Sequence, residues 1–431
     1  KIQGSDISNN KNIERLKKNK IKISIGHSKK NINKATILVI SSAIKKNNPE
    51  VIEAKIKNLP IYKRGDMLAH IASLTQNIVV AGSHGKTTTT SLISGIFAKA
   101  KLDPTIINGG VINSLQGSAK LGKSKWCVLE SDESDGSFIK VPPTYSIVTN
   151  VDREHMDFYK SMDKLKSHFL EFVNKVPSFG KSFICIDDKI NNELIRKIKT
   201  KNFYTYGINK NSNFRIKNIH QHKELSLFDI EISLPAKKKT ILKEINIPLL
   251  GLHNIRNATA AVAVGFTIGI SKKIIKESLR KFEGVQRRFN KIFSYRGVNF
   301  FDDYAHHPTE IKELIEGVDK VYKKEKIFCV FQPHRISRLK DLRNEFSLSF
   351  KKAEGVILCP IYKAGEKIKL GFNYLNFAKE ISKKSDVKVY LVKDQYQLSK
   401  FVKQHIYGNK VVIGMGAGSI SSWMKELPKL L

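Results

Sequence analysis

Val79-Val80-Ala81-Gly82-Ser83-His84-Gly85-Lys86-Thr87-Thr88 is the stretch that decides the fold. An apolar strand enters a glycine turn, and the pattern beyond it predicts a helix over 87–101. Gly82 and Gly85 let the backbone N–H groups of Ser83, His84 and their neighbours turn toward an anion. The helix N-terminus adds its partial positive charge. In that frame Lys86 reaches β- and γ-phosphates, Thr87 offers its hydroxyl to Mg²⁺, and Thr88 completes the loop. Phosphate loops usually carry another glycine where this chain has Val80, so the loop is a variant. A tight turn capped by threonine is the plain alternative. Strand, Gly-Lys-Thr and helix coincide, so a nucleoside triphosphate site is expected.

Outward from that loop the chain reads as α/β throughout. Upstream, strands fit 4–6, 21–25 and 35–40, the last two as buried strands, with helices over 12–20 and after Pro49. Downstream come strands at 126–130 and 145–150 and a helix over 160–173, the alternation of a mostly parallel sheet. Residues 201–249 alternate in polarity and read as antiparallel strands, followed by helices over 254–268 and 272–282. A new α/β series begins after Gly284, with strands at 298–301, 327–331, 356–360, 387–392 and 410–414. Three α/β domains are expected: 1–75, 76–283 and 284–431. The middle one is a P-loop ATPase unit with a mostly parallel sheet, and the outer two are Rossmann-like.

Length and composition agree with this division. The 431 residues are 41% apolar and 27% charged, with 76 Lys+Arg against 39 Asp+Glu, a net charge of +37. A basic excess raises nucleic acid as a partner. Yet 63 of the 76 cations are lysine, dispersed along the chain, whereas nucleic-acid readers favour clustered arginine. The lysines read as solvated surface that steers anionic small molecules, and no nucleic acid is expected. No apolar run is long enough to cross a membrane, so no membrane insertion is expected. Cys127, Cys185, Cys329 and Cys359 lack Cys-x-x-Cys spacing, which suits a reducing cytoplasm.

Candidate chemistry lies at strand ends. Glu130-Ser131-Asp132-Glu133-Ser134-Asp135 follows one strand, and Glu130 is a natural oxygen ligand for Mg²⁺. His155 follows the next, beside acids. Gly251-Leu252-His253-Asn254 opens an alanine-rich helix, where Asn254 serves equally as a capping residue or an adenine contact. Seven of 13 arginines fall between Arg280 and Arg343. Phe331-Gln332-Pro333-His334-Arg335-Ile336-Ser337-Arg338 places two forked cations where they can clamp a carboxylate or phosphate. Asp302-Asp303-Tyr304-Ala305-His306-His307 reads as polar substrate contacts, because adjacent histidines seldom ligate one ion. Gly414-Met415-Gly416-Ala417-Gly418 looks like a dinucleotide loop, but no further βα units follow it, so a tight strand-to-helix turn is expected.

Taken together, GSHGKTTTT, ESDESDGSF, TNVDREHMD, GLHNIRNATAA, QRRF, DDYAHHPTE, FQPHRISR and IYKAGE resemble the Mur ligases along nearly the whole chain. ESDESDGSF before HMD, and FQPHR in the last domain, resemble the alanine-adding member. The resemblance implies ATP- and Mg²⁺-dependent joining of L-alanine to the lactyl carboxylate of UDP-N-acetylmuramate through an acyl phosphate, in cytoplasmic peptidoglycan precursor synthesis. It implies that Lys86 and Thr87 hold phosphate and Mg²⁺, Glu130 bridges metals and His155 ligates a second one. Asn254 and Asn257 resemble adenine contacts, and Arg288 and Asp303 resemble groups for phosphate and ribose. Tyr304, His306, Arg335 and Arg338 resemble the alanine pocket, with His306 the candidate base. Ser41, Ser42 and Arg64 resemble UDP-sugar contacts. Relatives begin with a glycine loop for the UDP pyrophosphate, which the chain from Lys1 lacks, so a natural start upstream is expected. Ala305 stands where glycine is usual and is expected to be tolerated. A monomer or weak homodimer is expected. The competing readings are a sister ligase that adds another amino acid or a peptide, and a basic nucleic-acid-binding ATPase.

Overall fold

A computed structural model describes residues 1–223, 225–366 and 372–431. Its strands are β1 (Gln3–Asp6), β2 (Lys22–Ile25), β3 (Leu38–Ile40), β4 (Ile61–Lys63), β5 (Gln76–Ala81), β6 (Thr105–Ile112), β7 (Gly117–Lys120), β8 (Trp126–Glu130), β9 (Tyr145–Val148), β10 (Lys181–Cys185) and β11 (Phe203–Gly207). They continue as β12 (Phe214–His222), β13 (Leu225–Ile232), β14 (Thr240–Ile247), β15 (Asn290–Tyr295), β16 (Val298–Asp303), β17 (Lys326–Phe331), β18 (Gly355–Leu358), β19 (Lys388–Leu391) and β20 (Lys410–Met415).

Strands β5 to β14 form one ten-stranded sheet in the order β14-β13-β12-β11-β10-β9-β5-β8-β6-β7. Its centre is parallel, with β5 between β8 and β9. β5 is buried from Asn77 to Ala81 because helices cover both of its faces. On one face Ile78, Val80 and Val128 pack against the helices Lys86–Lys99 and Leu252–Thr267. Ala258, Ala260, Ala261 and Ala263 keep the second helix small where it meets the first. On the other face Val79, Ala81 and Leu129 pack against Leu165, Phe169 and Phe172 of the helix Met162–Asn174. A crevice therefore opens at the C-terminal strand ends, where the motifs lie.

A six-stranded sheet, β15-β16-β20-β17-β18-β19, follows; all its neighbours are parallel except β15 with β16. Its two apolar clusters lie on opposite faces of β17, around Cys329 and Phe331 on one and Phe328 and Val330 on the other. Gly416 turns β20 into the helix Ile420–Leu430 with φ +146°, and a Cβ there would sit 2.6 Å from the Gln332 carbonyl oxygen. This is the tight turn expected of Gly414 to Gly418.

Two expectations are corrected. The strands expected to be buried at 21–25 and 35–40 are not: Ile25 is 50% exposed and Val39 45%. Among the described residues β1 pairs only with β2, and β3 only with β4, and a two-stranded sheet has little cover on either face. Residues 201–249 are not wholly antiparallel either. β11 runs parallel to both β10 and β12, and only β12-β13-β14 is an antiparallel meander. Alternating polarity reports which face is buried, not the direction of the neighbouring strand.

Candidate active site

The phosphate loop needs its two glycines for different neighbours. Gly82 has φ +131°, and a Cβ there would lie 2.0 Å from Thr149 Oγ1 and 3.0 Å from the Asn150 carbonyl oxygen. Gly85 has φ +82°, with Asn257 Oδ1 2.6 Å from the same hypothetical atom. Thr89 N–H closes the first helical bond on the Gly85 carbonyl, which leaves the amides of Lys86, Thr87 and Thr88 without helical acceptors. Ser83 and His84 instead give their N–H groups to the Asn150 carbonyl and side chain, at 3.0 and 2.8 Å. Lys86 Nζ donates to the Gly82 and Ser83 carbonyls at 2.6 and 3.1 Å and to Glu133 Oε2 at 2.7 Å. Burial opposes its charge, but Glu133, Asp132 and Glu130 outweigh that and hold the ammonium above its ordinary pKa.

Beside the lysine, Thr87 Oγ1 donates to Glu130 Oε2 at 2.9 Å, and the same oxygen accepts the Gly109 N–H at 2.8 Å. Glu130 thus sits where a cation bound to Thr87 would meet it. Gly110 approaches just as closely, since a Cβ there would be 2.8 Å from Thr87 Cγ2. Asn108-Gly109-Gly110 is part of the site, and sequence reasoning missed it. The signal was a paired glycine in a strand, which marks close backbone approach.

Glu133 was missed as well. It is fully buried, its Oε1 has no hydrogen-bond partner, and its ligand atom lies within 4.8 Å of those of Asp132 and His155. Burial pushes its carboxyl up to about 7 despite the Lys86 ammonium, with Asp132 and Glu154 adding to the rise. One lysine cannot neutralise this many acids. Burial lowers the His155 pKa, against Glu154 and Asp132, so its ring is neutral and available as a ligand. The donor set of two carboxylates and an imidazole, with an orphaned buried oxygen and surplus negative charge, fits a divalent cation.

The C-terminal sheet brings its residues to the same crevice. Arg338 Nη2 lies 3.3 Å from Glu154 Oε1, and its Nη1 is 3.2 Å from His334 Nδ1. Burial opposes ionisation of Glu154, but His84, His307 and Arg338 pull its pKa down to about 2. His306 Nδ1 lies 2.9 Å from the Tyr304 carbonyl and 3.3 Å from Glu310 Oε2. Burial lowers it to about 4, so the ring is neutral at pH 7. Tyr304 lies under the guanidinium groups of Arg287 and Arg288, 4.8 and 5.5 Å from its ring centre. Arg335 caps the helix Ile336–Asp341 with φ +65°, and its N–H meets the Tyr362 carbonyl at 3.0 Å. Ala305 is buried, and its φ is not among the positive ones, so a methyl replaces the usual glycine hydrogen without backbone strain.

A cleft of about 400 Å³ runs between the two large sheets, and Gly85, Asn254, Asn257, Arg288 and Asp303 all line it. Asn257 Nδ2 points to Asn254 Oδ1 at 3.4 Å, while Asn254 Nδ2 donates to the Leu250 carbonyl. Burial raises Asp303 to about 6, and its two oxygens accept the Phe289 and Ala305 N–H groups at 2.7 Å. Ser41, Ser42 and Arg64 stand apart from this cleft. They are exposed, but Ser41 follows Ile40 and Arg64 follows Lys63, which are register partners, so all three share one edge of the β3-β4 pair. That edge faces the acidic segment: a Cβ on Gly65 would lie 2.5 Å from Ser137 Cβ.

Three family models match successive parts of the chain. Residues 1–76 match the model described as the Mur ligase family, catalytic domain. Residues 80–265 match the Mur ligase middle domain, and 287–418 the Mur ligase, glutamate ligase domain. The chain is 70% identical over 430 residues to UDP-N-acetylmuramate--L-alanine ligase of Pelagibacter ubique, covering 100% of this chain and 93% of that protein. The enzyme of that name from Bartonella bacilliformis is 40% identical, covering 100% and 91%. The crystal structure of UDP-N-acetylmuramate-alanine ligase from Thermotoga maritima superposes with a TM-score of 0.81 at 25% identity, covering 99% of this chain and 92% of that one. A murein peptide ligase from Psychrobacter arcticus shares the fold at a TM-score of 0.70 and 21% identity, over 99% and 93%.

Proposed function

The chain belongs to the Mur ligase family, and on that premise we propose that it joins L-alanine to the lactyl carboxylate of UDP-N-acetylmuramate at the expense of ATP, in peptidoglycan precursor synthesis. Full-length identity of 70% to a ligase of that name supports the choice of substrates. The observation that carries the chemistry is the meeting of two halves. The loop Lys86-Thr87 and its acids face His306 and Arg338 across the segment Asp152–Glu154.

Amide formation from a carboxylate and an amine is unfavourable in water, so the carboxylate must first gain a leaving group. Its oxygen attacks the γ-phosphate, and Lys86 offsets the charge that would repel one anion from another. The amides of Lys86, Thr87 and Thr88 cradle the phosphates. Mg²⁺, held by Thr87 and Glu130 with a second ion at His155, Glu133 and Asp132, would neutralise phosphate charge as the acyl phosphate forms. Alanine's neutral amine then attacks the acyl carbon, the tetrahedral oxyanion collapses, and phosphate leaves. His306 is the group we assign to take the amine proton: burial leaves its ring neutral but a weak base, and Glu310 at 3.3 Å would stabilise the imidazolium that forms. Arg335 and Arg338 hold the alanine carboxylate. Asn254 and Asn257 meet adenine, and Arg288 and Asp303 meet phosphate and ribose. Ser41, Ser42 and Arg64 receive the UDP-sugar. Contacts between the sheets exclude water, which would destroy the acyl phosphate.

We assign residues 1–75 to the UDP-sugar, 76–283 to ATP and 284–431 to alanine and closure over ATP. Among the described residues no helix is long and apolar enough to cross a membrane. The four cysteines are buried and free, and the reaction draws on ATP, so we place the enzyme in the cytoplasm, as a monomer or weak homodimer. Phosphate release with UDP-N-acetylmuramate, ATP, Mg²⁺ and each amino acid in turn tests the assignment. Alanine is expected to be fastest; faster release with another amino acid or a peptide would make this a sister ligase.

A further inference from the structure

The phosphate loop carries one side chain that reaches the C-terminal domain. His84 is held on both sides of its backbone: its N–H goes to the Asn150 side chain at 2.8 Å, and its carbonyl accepts the Thr149 hydroxyl at 2.7 Å and Asn150 Nδ2 at 3.1 Å. The loop and the residues after β9 therefore set where its ring lies. Nε2 is 3.0 Å from Asp152 Oδ2, and Nδ1 is 3.4 Å from Oε1 of Glu310, in the first turn of the helix Pro308–Val321. A neutral imidazole has one N–H and would turn a lone pair on one of these two carboxylates. With a proton on each nitrogen the ring meets both anions. Burial opposes that charge, but Asp152 and Glu310 outweigh it and hold the ring's pKa well above its ordinary value, with Glu154 adding to the rise. The His307 ring centre lies 4.8 Å away, and burial lowers the pKa of that imidazole.

The same carboxylate serves His306. Glu310 Oε2 accepts the N–H groups of His306 and His307 at 3.1 and 3.3 Å and lies 3.3 Å from His306 Nδ1. His306 Nδ1 is also 2.9 Å from the Tyr304 carbonyl. Both neighbours of Nδ1 are acceptors, so Nδ1 keeps the ring proton and Nε2 carries the lone pair. Arg338, Glu154 and His334 are the other charged or titratable groups that face this ring, and Arg288 Nη1 lies 3.8 Å from Glu310 Oε1. One carboxylate thus stands between a cation on the phosphate loop and the candidate base.

We propose that His84 is a positioning residue for the amine step: as a cation fixed on the phosphate loop it holds Glu310, and through Glu310 it keeps His306 Nε2 turned toward the attacking amine. This rests on the reading above in which His306 takes the amine proton. In that step the C–N bond forms as the amine attacks the acyl carbon, and the amine's proton passes to His306 Nε2. The bond from that carbon to the phosphate oxygen breaks, and its electron pair leaves on phosphate. Glu310 then lies between two imidazolium rings. The loop that seats the triphosphate and the ring that takes the proton are tied through one side chain, so a misplaced loop misplaces the base.

Hydroxylamine attacks acyl phosphates without a base, which separates the two halves of the reaction. Phosphate release by the full chain with UDP-N-acetylmuramate, ATP and Mg²⁺ is measured with alanine and with hydroxylamine. In His84→Gln the alanine-driven rate is expected to fall roughly 10- to 100-fold further than the hydroxylamine-driven rate. The acid limb of the alanine-driven rate is expected to move to higher pH, because Glu310, relieved of His84, stabilises the His306 imidazolium more strongly. Should His84→Gln fail to fold by circular dichroism, Glu310→Gln takes its place, with the same change of ratio and an acid limb moved to lower pH, since His306 then loses its anion. Equal losses in both rates, or an unmoved limb, overturn the assignment. The parent's ratio in His306→Asn would instead overturn the choice of base, and the inference with it.

Discussion

Adding one methyl group at Gly109 tests the Glu130 assignment without touching any charged residue. A Cβ at Gly109 would lie 2.7, 2.8 and 2.9 Å from Glu130 Oε1, Oε2 and Cδ, where ordinary contact begins at 3.4 Å. The carboxylate must therefore retreat by about 0.6 Å, which breaks its 2.9 Å contact with Thr87 Oγ1. Gly109 is exposed and its φ is not in the left-handed region, so alanine brings no backbone strain. Stability is expected to stay within about 1 kcal/mol of the parent. Losing one well-placed charged ligand, at about 1.5–2 kcal/mol, raises the half-saturating Mg²⁺ concentration roughly 10- to 30-fold. The assay is alanine-dependent phosphate release against Mg²⁺ with the other substrates saturating, beside a thermal melt. Glu130→Asp on the same background shortens the side chain by one methylene and restores the space. The double variant should need less Mg²⁺ than the sum of the single effects predicts. Unchanged Mg²⁺ dependence in Gly109→Ala, or plain additivity in the double variant, would refute the reasoning.

Other expectations follow from the same geometry. Lys86→Ala should lower phosphate release about 10³-fold with the fold intact, because Glu133, already raised to about 7, can take a proton once its partner is gone; near-normal turnover would remove the phosphate-loop assignment. Arg335→Ala should raise the alanine KM far more than the ATP KM, and equal effects would move that arginine out of the amino-acid pocket. His306 has its pKa lowered from 6.5 to about 4, so between those values the unfolded chain binds more protons and stability rises with pH. That contribution, about 3 kcal/mol, is present above pH 6.5 and lost as pH falls toward 4. His306→Asn should flatten that slope in urea unfolding at pH 4.5 and 7, and an unaltered slope would count against a buried neutral imidazole.

What could be read from the sequence was what is local. Strand, glycine turn, Gly-Lys-Thr and helix are contiguous, so β5 and the helix Lys86–Lys99 follow from adjacent residues. Glu133 was not separable from its three acidic neighbours, because burial and contact with Lys86 depend on how the loop after β8 folds back. Asn108-Gly109-Gly110 joins the site only because β6 pairs beside β8. Asp152, Glu154 and Glu310 were passed over because their partners lie across the seam, up to 184 residues away in the case of Glu154 with Arg338. Adjacent His306 and His307 were read as one polar pair, yet the chain turns between them. His306 faces Tyr304 and Glu310, whereas His307 faces His84 and Asp152.

The segment after β9 gives the reaction an electrostatic order. Thr149 donates to the Ala81 and His84 carbonyls, Asn150 takes the His84 N–H, Asp152 accepts from Thr309, Glu154 meets Arg338, and His155 turns to Glu133. With Glu130, Asp132 and a partly ionised Glu133 around Lys86, this side of the crevice carries more negative charge than positive, and bare triphosphate is repelled from it. The nucleotide must therefore arrive with its cation. Arg338 stands against Glu154 at 3.3 Å, a pair that keeps this carboxylate from being buried alone beside phosphate. In the reaction proposed above, His306 and Arg335 would meet the acyl carbon only after the phosphates are seated, so that the amine's pocket forms around an activated carboxylate that water does not reach.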